Sequence, residues 1–166
     1  QGRAALTVSH LTVQDSNHLN RVDNVSFEVH AGEIVGIAGV SGNGQSELLQ
    51  VLSGIAPVHA GSFSVNDITV TPEAPLNPHM MRQLHLAHVP EDRLRMGLVP
   101  AFQAAESSIL GYHGGPDYNG RIFMNNGAIN NACTRKMQDF DVRPNDTRLK
   151  TANFSGGNQQ KLVLAR

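Results

Sequence analysis

The chain has little of what builds covalent cross-links, membrane spans or highly charged surfaces. Its 166 residues include one cysteine, Cys133, no tryptophan, and only 16% charged side chains. A single cysteine forms no disulfide within the chain, which is typical of a reducing compartment. No apolar run approaches the roughly 20 residues needed to span a bilayer. These shortages argue against a disulfide scaffold and against a membrane-spanning segment.

An excess of either charge is also missing. The chain carries 13 Lys and Arg against 14 Asp and Glu, a formal net charge of −1. Broad binding to nucleic acid needs a basic surface, and electrostatic anchoring to a membrane needs a polybasic run. The balanced charge therefore predicts neither. The opening QGRAALTVSH has no signal-peptide pattern and no initial Met. We therefore expect a piece cut from a longer chain.

Alternation of apolar and polar residues predicts several strands. Apolar residues alternate with polar ones in Ala4–Val13 and Val25–Val29, which is the period of strands with one buried face. Gly61–Val70 has the pattern of a short strand pair, and Leu84–Pro90 that of a short strand. Glu33–Val40 is almost continuously apolar, as in a strand buried on both faces. It is therefore predicted in the middle of an α/β sheet.

Helical spacing appears in the segments between and after these strands. It predicts a helix over Ser46–Ile55, ended by Gly54, and short helices near His79–Gln83 and Gln103–Leu110. A longer helix is predicted over Asn126–Phe140. Its apolar stripe consists of Ile129, Cys133, Met137 and Phe140.

The segment Gly39–Ser46, GVSGNGQS, has the spacing of a phosphate-binding loop. Its glycines let the backbone turn its N–H groups inward, and the helix that follows directs its positive dipole end to the same place. Ser46 lies where a hydroxyl would bind Mg²⁺. Gln45 occupies the position of the usual lysine and brings no charge. The alternative is a strand, turn and helix with no ligand.

A second glycine motif, NFSGGNQQK, covers Asn153–Lys161. Ser155 is suited to cap the helix that follows, while Gly156 and Gly157 expose backbone N–H groups with no side chain in the way. The motif therefore predicts a second helix start able to receive an anion. The alternative is an ordinary capped helix.

Together the two motifs resemble the phosphate loop and the signature motif of the ATP-binding cassette (ABC) family. Ser155 lies 110 positions after Gln45, which suits the helical insertion of that family. The runs SGNGQSELLQVLSG, AHVPEDRLRMGLV and FSGGNQQKLVLAR resemble the second, C-terminal nucleotide-binding domain of bacterial simple-sugar and nucleoside importers. GNGQSELL and FDVRPND are most similar to the nucleoside branch.

The resemblance implies an α/β fold of the P-loop ABC type, with a β-rich N-terminal part and an α/β core with a helical insertion. Residues 1–100 would form the β-rich and core part, 101–153 the helical subdomain, and 154–166 the signature motif and the start of its helix. It also implies that the domain is C-terminally incomplete, cut before the Walker B strand. No catalytic residue is then expected here, and no ATP hydrolysis by the fragment.

The resemblance also implies a set of site residues with ATP and Mg²⁺ as cofactors. Glu91 would take the Q-loop position and, with Ser46, approach Mg²⁺. His18 is the candidate for stacking on adenine, because no Tyr, Phe or Trp lies between positions 13 and 24. The phosphate-binding residues would be Gly39, Ser41, Gly42, Asn43, Gly44, Gln45, Ser46 and Glu47. The signature residues, serving an opposing ATP site, would be Phe154, Ser155, Gly156, Gly157, Asn158 and Gln159.

The implied function is that of an ATP-binding subunit of a bacterial importer, coupling ATP binding and hydrolysis to uptake of a nucleoside or simple sugar. Its partners would be a fused or paired second ABC domain, membrane permease subunits and a substrate-binding lipoprotein, at the cytoplasmic face of the inner membrane, with no nucleic acid. The alternative is a degenerate, non-hydrolytic domain that completes the other domain's ATP site. A soluble ABC protein acting on ribosomes or DNA is disfavoured by the balanced charge.

Overall fold

A computed structural model describes residues 2–166, and the chain folds as two compact units. The first unit ends at His88, and the second spans Val89–Arg166. Each has its own hydrophobic core. Among the described residues, no helix combines the length and the apolar character that crossing a bilayer requires.

The first unit contains a four-stranded antiparallel sheet with strand order β2-β1-β3-β4. The strands are β1 (Ala4–Gln14), β2 (Asn20–His30), β3 (Ala60–Val65) and β4 (Ile68–Val70). The strands predicted over Ala4–Val13 and Val25–Val29, and the strand pair predicted over Gly61–Val70, are thus confirmed.

An irregularity in β1 explains a phase change in its apolar pattern. Val8 and Leu11 are both buried although they are three positions apart. The pairing of β1 with β2 shifts register between them, and His10 has a left-handed φ of 51°. A Cβ on Gly61 would collide with the carbonyl oxygen of His10, so β3 passes the irregularity closely with a glycine. The bulge returns later residues of β1 to the buried face.

Two helices complete the core of the first unit. Helix α1 (Gln45–Leu52) begins one residue before its predicted start and buries one side, and α2 (Pro78–Gln83) buries Met81. Both predicted helices are confirmed, although α1 ends before Gly54. The buried α1 side chains belong to the same core cluster as the sheet; they are Leu48, Val51 and Leu52.

The prediction of a central strand over residues 33–40 is wrong. This segment has no strand structure, and Ile34 is 98% exposed. The short strand predicted over residues 84–90 is also absent. An apolar run indicates that its side chains favour burial. A β-strand, however, forms only where the backbone of an adjacent strand hydrogen-bonds to it. The described residues bring no such neighbour to either segment.

The second unit is built from helices and turns. It contains α3 (Ala104–Ser107), α4 (Asn126–Asp139) and α5 (Gly156–Ala165), with a π-helical turn at Arg93–Gly97 and a 3₁₀ turn at Thr151–Asn153. The helices predicted near α3 and α4 are confirmed, although α3 is only four residues long.

The core of the second unit follows the predicted stripe of α4, with one exception. Ile129, Cys133 and Met137 are buried together with α5 residues such as Leu162. Burial raises the pKa of the Cys133 thiol. Phe140 is 43% exposed, so its placement on the buried stripe was wrong. The reason is that α4 ends at Asp139, and Phe140 leaves the helical path.

Candidate functional site

The loop that leads into α1 depends on glycine at two positions. Gly42 and Gly44 have φ values of +88° and +92°, in the left-handed region. A Cβ on Gly44 would collide with the carbonyl oxygen of Arg21 in β2. Within the loop, the N–H of Asn43 donates to the carbonyl of Val40 at 3.2 Å. The chain therefore reaches the start of α1 by a path that a side chain at position 44 would block.

Helix α1 starts without a side-chain cap. Its N-cap residue is Gly44, which has no side chain to accept from the N–H groups of the first turn. An uncapped helix start presents backbone N–H groups and the positive end of the helix dipole to an incoming anion. Glu47 supplies the one carboxylate of this turn, and Ser46 is exposed. The residues predicted to bind phosphate thus lie together around the start of one helix.

The side chain of Gln45 folds back over the loop. Its Nε2 donates to the carbonyl of Val40 at 3.2 Å. The same nitrogen lies so close to Gly39 that any Cβ at position 39 would overlap it. Gln45 thus stabilises the loop through a neutral hydrogen bond. It brings no positive charge to the place where a lysine would.

A cavity of about 690 Å³ adjoins this loop within the first unit. Ligand pockets in proteins usually enclose roughly 300–1,000 Å³, lined mainly by apolar groups with a few polar ones. The cavity lies between β2, the segment at residues 35–39 and the start of α1. Its lining residues include Arg21, Asp23, Val25, Phe27, Val35, Ile37, Gly39, Asn43, Gly44, Gln45 and Leu48.

The start of β2 brings Arg21 to this cavity, whereas His18 in the preceding connection does not line it. His18 is exposed in the turn and is not among the cavity's lining residues. Arg21 lines the cavity, and both its Nε and its Nη2 lie 2.8 Å from Asp15 Oδ2. Sequence reasoning missed Arg21 because it searched this connection for an aromatic ring and not for a planar cation.

The second motif forms a capped helix start, as predicted. Ser155 is the N-cap of α5, and its Oγ accepts from the N–H of Asn158 at 3.4 Å and from Asn158 Nδ2 at 3.0 Å. The first turn contains no acidic residue. Space is open around Gly157, whereas a Cβ on Gly156 would lie 2.8 Å from Arg93 Nη2. Ser155 therefore caps the helix, and the glycines keep its N-terminus accessible.

Two buried side chains anchor the start of α5. Phe154 is 4% exposed and belongs to the core of the second unit. Gln159 is buried; it accepts from Arg93 Nε at 3.4 Å and donates to the carbonyl of Thr151 at 3.0 Å. Sequence reasoning placed Gln159 in the motif but missed Arg93, because no spacing rule connects positions 66 residues apart.

The two residues proposed for Mg²⁺ lie in different units. Ser46 belongs to the first unit, and Glu91 is an exposed residue of the second. In the part of the chain that the structure describes, no group of three or more His, Cys, Asp or Glu side chains could hold a metal ion. The described residues thus form no such cluster for Mg²⁺, and the phosphates of a nucleotide would have to supply ligands.

Comparison with known proteins identifies the family. The family model described as ABC transporter matches residues 22–166. The chain belongs to the ABC transporter family. The match includes both glycine motifs and, except for Arg21, the cavity-lining residues of β2.

Curated members of the ABC transporter family resemble the chain along nearly its whole length. The nucleoside import ATP-binding protein NupA of Lactococcus lactis is 35% identical over 161 residues, 97% of this chain and 31% of that protein. The guanosine import ATP-binding protein NupO of Bacillus subtilis is 33% identical over 165 residues, 99% of this chain and 32% of that protein. The xylose import ATP-binding protein XylG of Pectobacterium atrosepticum is 35% identical over 170 residues, 99% of this chain and 32% of that protein. The chain thus spans about a third of each.

Solved ABC structures share the fold at low identity. The dimeric ATP-binding cassette MJ0796, in a post-hydrolysis state bound to ADP and Pi, superposes with a TM-score of 0.73 at 19% identity, covering 96% of this chain and 67% of that one. The cassette MJ1267 in its ADP conformation gives a TM-score of 0.72 at 16% identity, covering 99% of this chain and 64% of that one. The predicted α/β fold of the ABC type is confirmed.

Proposed function

We propose that the chain is an ATP-binding domain of a bacterial ABC importer that takes up a nucleoside or a simple sugar. The observation that carries this proposal is the uncapped start of α1, shaped by Gly42 and Gly44 and adjoining the 690 Å³ cavity. The names of the relatives, which are nucleoside and sugar import ATP-binding proteins, support the substrate class.

The described residues fit a triphosphate better than they fit a metal ion alone. Backbone N–H groups at the start of α1 would receive the phosphates, and the apolar wall of the cavity is suited to a base. Ser46 would add its hydroxyl to Mg²⁺ beside the phosphates. When bound, the metal ion would neutralise phosphate charge.

The signature motif would act on a second nucleotide. The N-terminus of α5 would meet the terminal phosphate of ATP held by a fused or paired second ABC domain, so that each ATP lies between two domains. Permease subunits and a substrate-binding lipoprotein would complete the importer at the cytoplasmic face of the membrane.

A second candidate function is supported by the state of Gln45. Its amide is bonded to Val40 within the loop and carries no charge. Charge-assisted bonds to phosphate are worth roughly 1.5–3 kcal/mol, against about 1 kcal/mol for neutral ones. In this alternative the domain does not hydrolyse ATP and serves as a structural partner that completes the opposing site.

The Gln45→Lys variant of the full-length protein separates the two candidates. We expect it to tighten ATP binding at this site by roughly 1–2 kcal/mol, the difference between a neutral and a charge-assisted bond. Calorimetric titration would give both the affinity and the number of ATP molecules bound per chain. Gln83→Lys adds the same charge on the exposed side of α2 and is the matched control.

Three outcomes are distinguishable. Wild-type binding at this site, tightened by Gln45→Lys alone, supports the ATP-binding role. Binding that appears only in Gln45→Lys supports the structural alternative. Equal affinities for wild type, Gln45→Lys and Gln83→Lys would contradict the placement of Gln45 at the phosphates.

A further inference from the structure

The turn at Arg93–Gly97 is tied to α5 at both of its ends. At one end, Arg93 Nε donates to Gln159 Oε1 at 3.4 Å. At the other, Arg166 Nη1 donates to the carbonyl of Gly97 at 2.7 Å. A Cβ on Gly97 would lie 3.2 Å from Val163, so the turn also packs closely on the helix between these ends. The position of the first turn of α5 is therefore coupled to residues 93–97.

Arg93 lies in an electrostatically unusual place. Its guanidinium lies against Gly156, at the positive end of the α5 dipole, and the first turn of α5 contains no acidic residue. A cation is unfavourable at a helix N-terminus. The ion pairs within 4.0 Å among residues 2–166 do not include Arg93. The contacts that hold the guanidinium there must therefore offset this repulsion.

Gln159 provides the contact that holds Arg93. Gln159 is 7% exposed, and its two amide atoms are used in opposite directions, since Oε1 accepts from Arg93 and Nε2 donates to the carbonyl of Thr151. Thr151 is fixed in turn, because its Oγ1 donates to the carbonyl of Val99 at 2.5 Å and its N–H donates to the carbonyl of Phe102 at 2.8 Å. Arg93 is thus attached to the helix start through a buried and anchored amide.

We propose that Arg93 is a positioning residue of the signature site, an inference that rests on the proposed function. Through Gln159 it fixes the first turn of α5 relative to the Arg93–Gly97 turn, and its close approach requires glycine at position 156. The N–H groups of this turn then meet the terminal phosphate held by the opposing domain in one geometry. Misplacing such preorganised donors lowers the rate of phosphoryl transfer and leaves the earlier binding of ATP unaffected.

The test measures kcat and KM for ATP in the full-length protein assembled with its permease. Arg93→Met and Gln159→Met are each expected to lower kcat by about tenfold, a fraction of the 10²–10³ that loss of a whole donor costs. KM for ATP is expected to change by less than about twofold, because the signature site acts only after the domains close. The double variant should be no slower than either single variant, because both remove one interaction.

Matched variants decide what the result means. Arg95→Met alters the neighbouring exposed arginine of the same turn and should leave kcat unchanged. Arg93→Lys keeps the charge but loses the bond from Nε, so it should be impaired like Arg93→Met. The unfolding temperature of each variant is compared with that of wild type. If Gln159→Met is found to be unfolded, the kcat of Arg93→Lys decides whether Arg93 has the positioning role.

The outcomes separate this inference from the function on which it rests. Wild-type kcat in Arg93→Lys, losses that multiply in the double variant, or equal effects of Arg93→Met and Arg95→Met would overturn the positioning role while the proposed function stands. Absence of ATP hydrolysis by the wild-type assembly would overturn the proposed function, and the role of Arg93 with it.

Discussion

Asp15 organises the connection between β1 and β2 through its carboxylate. Its Oδ1 accepts from the backbone N–H groups of Asn17 at 2.8 Å and Leu19 at 3.1 Å, while Oδ2 accepts from Arg21. The bond from the N–H of Leu19 is the main cause that lowers the pKa of Asp15, with Asn17 and Arg21 adding to it. A single carboxylate therefore shapes the turn and holds the arginine at the cavity.

We expect the Asp15→Asn variant to loosen this turn in a pH-dependent way. Because folding lowers the pKa of Asp15, its stabilising contribution is present above the ordinary aspartate pKa of about 3.9 and is lost as the pH falls through the lower, folded value. Amide hydrogen exchange of residues 17–21 in the full-length protein, with wild type and variant compared at equal pH, measures the effect. Exchange rates that already coincide at pH 6–7 would contradict this prediction.

Gly42 and Gly44 share a left-handed backbone but differ in their surroundings. An alanine at either position is strained by about 1–2 kcal/mol. At position 42 the space around the new Cβ is open, whereas at position 44 the Cβ meets backbone of β2. We expect Gly42→Ala to cost the strain alone and Gly44→Ala to cost clearly more.

The free energy of local opening of α1, from hydrogen exchange of residues 45–52, is the measurement for this pair. Gly42→Ala serves as the control for backbone strain. A cost for Gly44→Ala no larger than for Gly42→Ala would show that β2 yields easily at Arg21.

At the scale of one element, α4 shows how a helix boundary decides which apolar side chain is buried. Met137 lies in the last turn and is completely buried, whereas Phe140 follows the helix and is 43% exposed. We expect Met137→Ala to lower the free energy of unfolding by roughly 2–5 kcal/mol, the usual cost of such a cavity. Phe140→Ala is expected to cost less than about 1 kcal/mol. Urea unfolding followed by hydrogen exchange in residues 126–139 tests both, and a reversed order would contradict the assigned end of α4.

The helices of this chain were predicted correctly, whereas the central strand predicted over residues 33–40 was wrong. The end of α1 before Gly54 and the Ser155 cap of α5 are local signals, since the bonds that form a helix are internal to it. A strand at residues 33–40 would need hydrogen bonds to a neighbouring strand. Their apolar side chains predicted such a strand, but no described strand pairs with this segment.

At the scale of the whole molecule, we expect the two glycine motifs to serve different ATP sites with unequal consequences. Gly156→Asp would place a carboxylate at the start of α5, against Arg93, and displace the N–H groups proposed for the partner domain's ATP. Loss of one such donor costs about 10²–10³ in rate. Gln45→Ala would remove a neutral contact worth about 1 kcal/mol at this chain's own phosphate loop, which lacks the lysine charge and is therefore the weaker of the two proposed sites. Gly156→Asp should therefore be the more damaging change.

Transport-coupled ATP hydrolysis by the intact importer, measured for both variants, compares the sites. Gly127→Asp adds the same side chain to the exposed first turn of α4, away from the motif, and is the control. Equal losses in the two variants, or a larger loss in Gln45→Ala, would mean that the stronger and weaker sites are assigned the wrong way round.

The sequence alone determined the features whose causes are local: the strand alternation of β1 and β2, the caps and glycine turns, and the two motifs that identify the ABC family. Tertiary structure decided what depends on distant neighbours: that Arg21 and not His18 reaches the cavity, and that Arg93 lies against Gly156. The physical reason is that a local sequence pattern reflects which backbone conformation each residue favours and whether its side chain favours burial. A contact such as that of Arg93 with Gln159 depends on how the intervening chain folds.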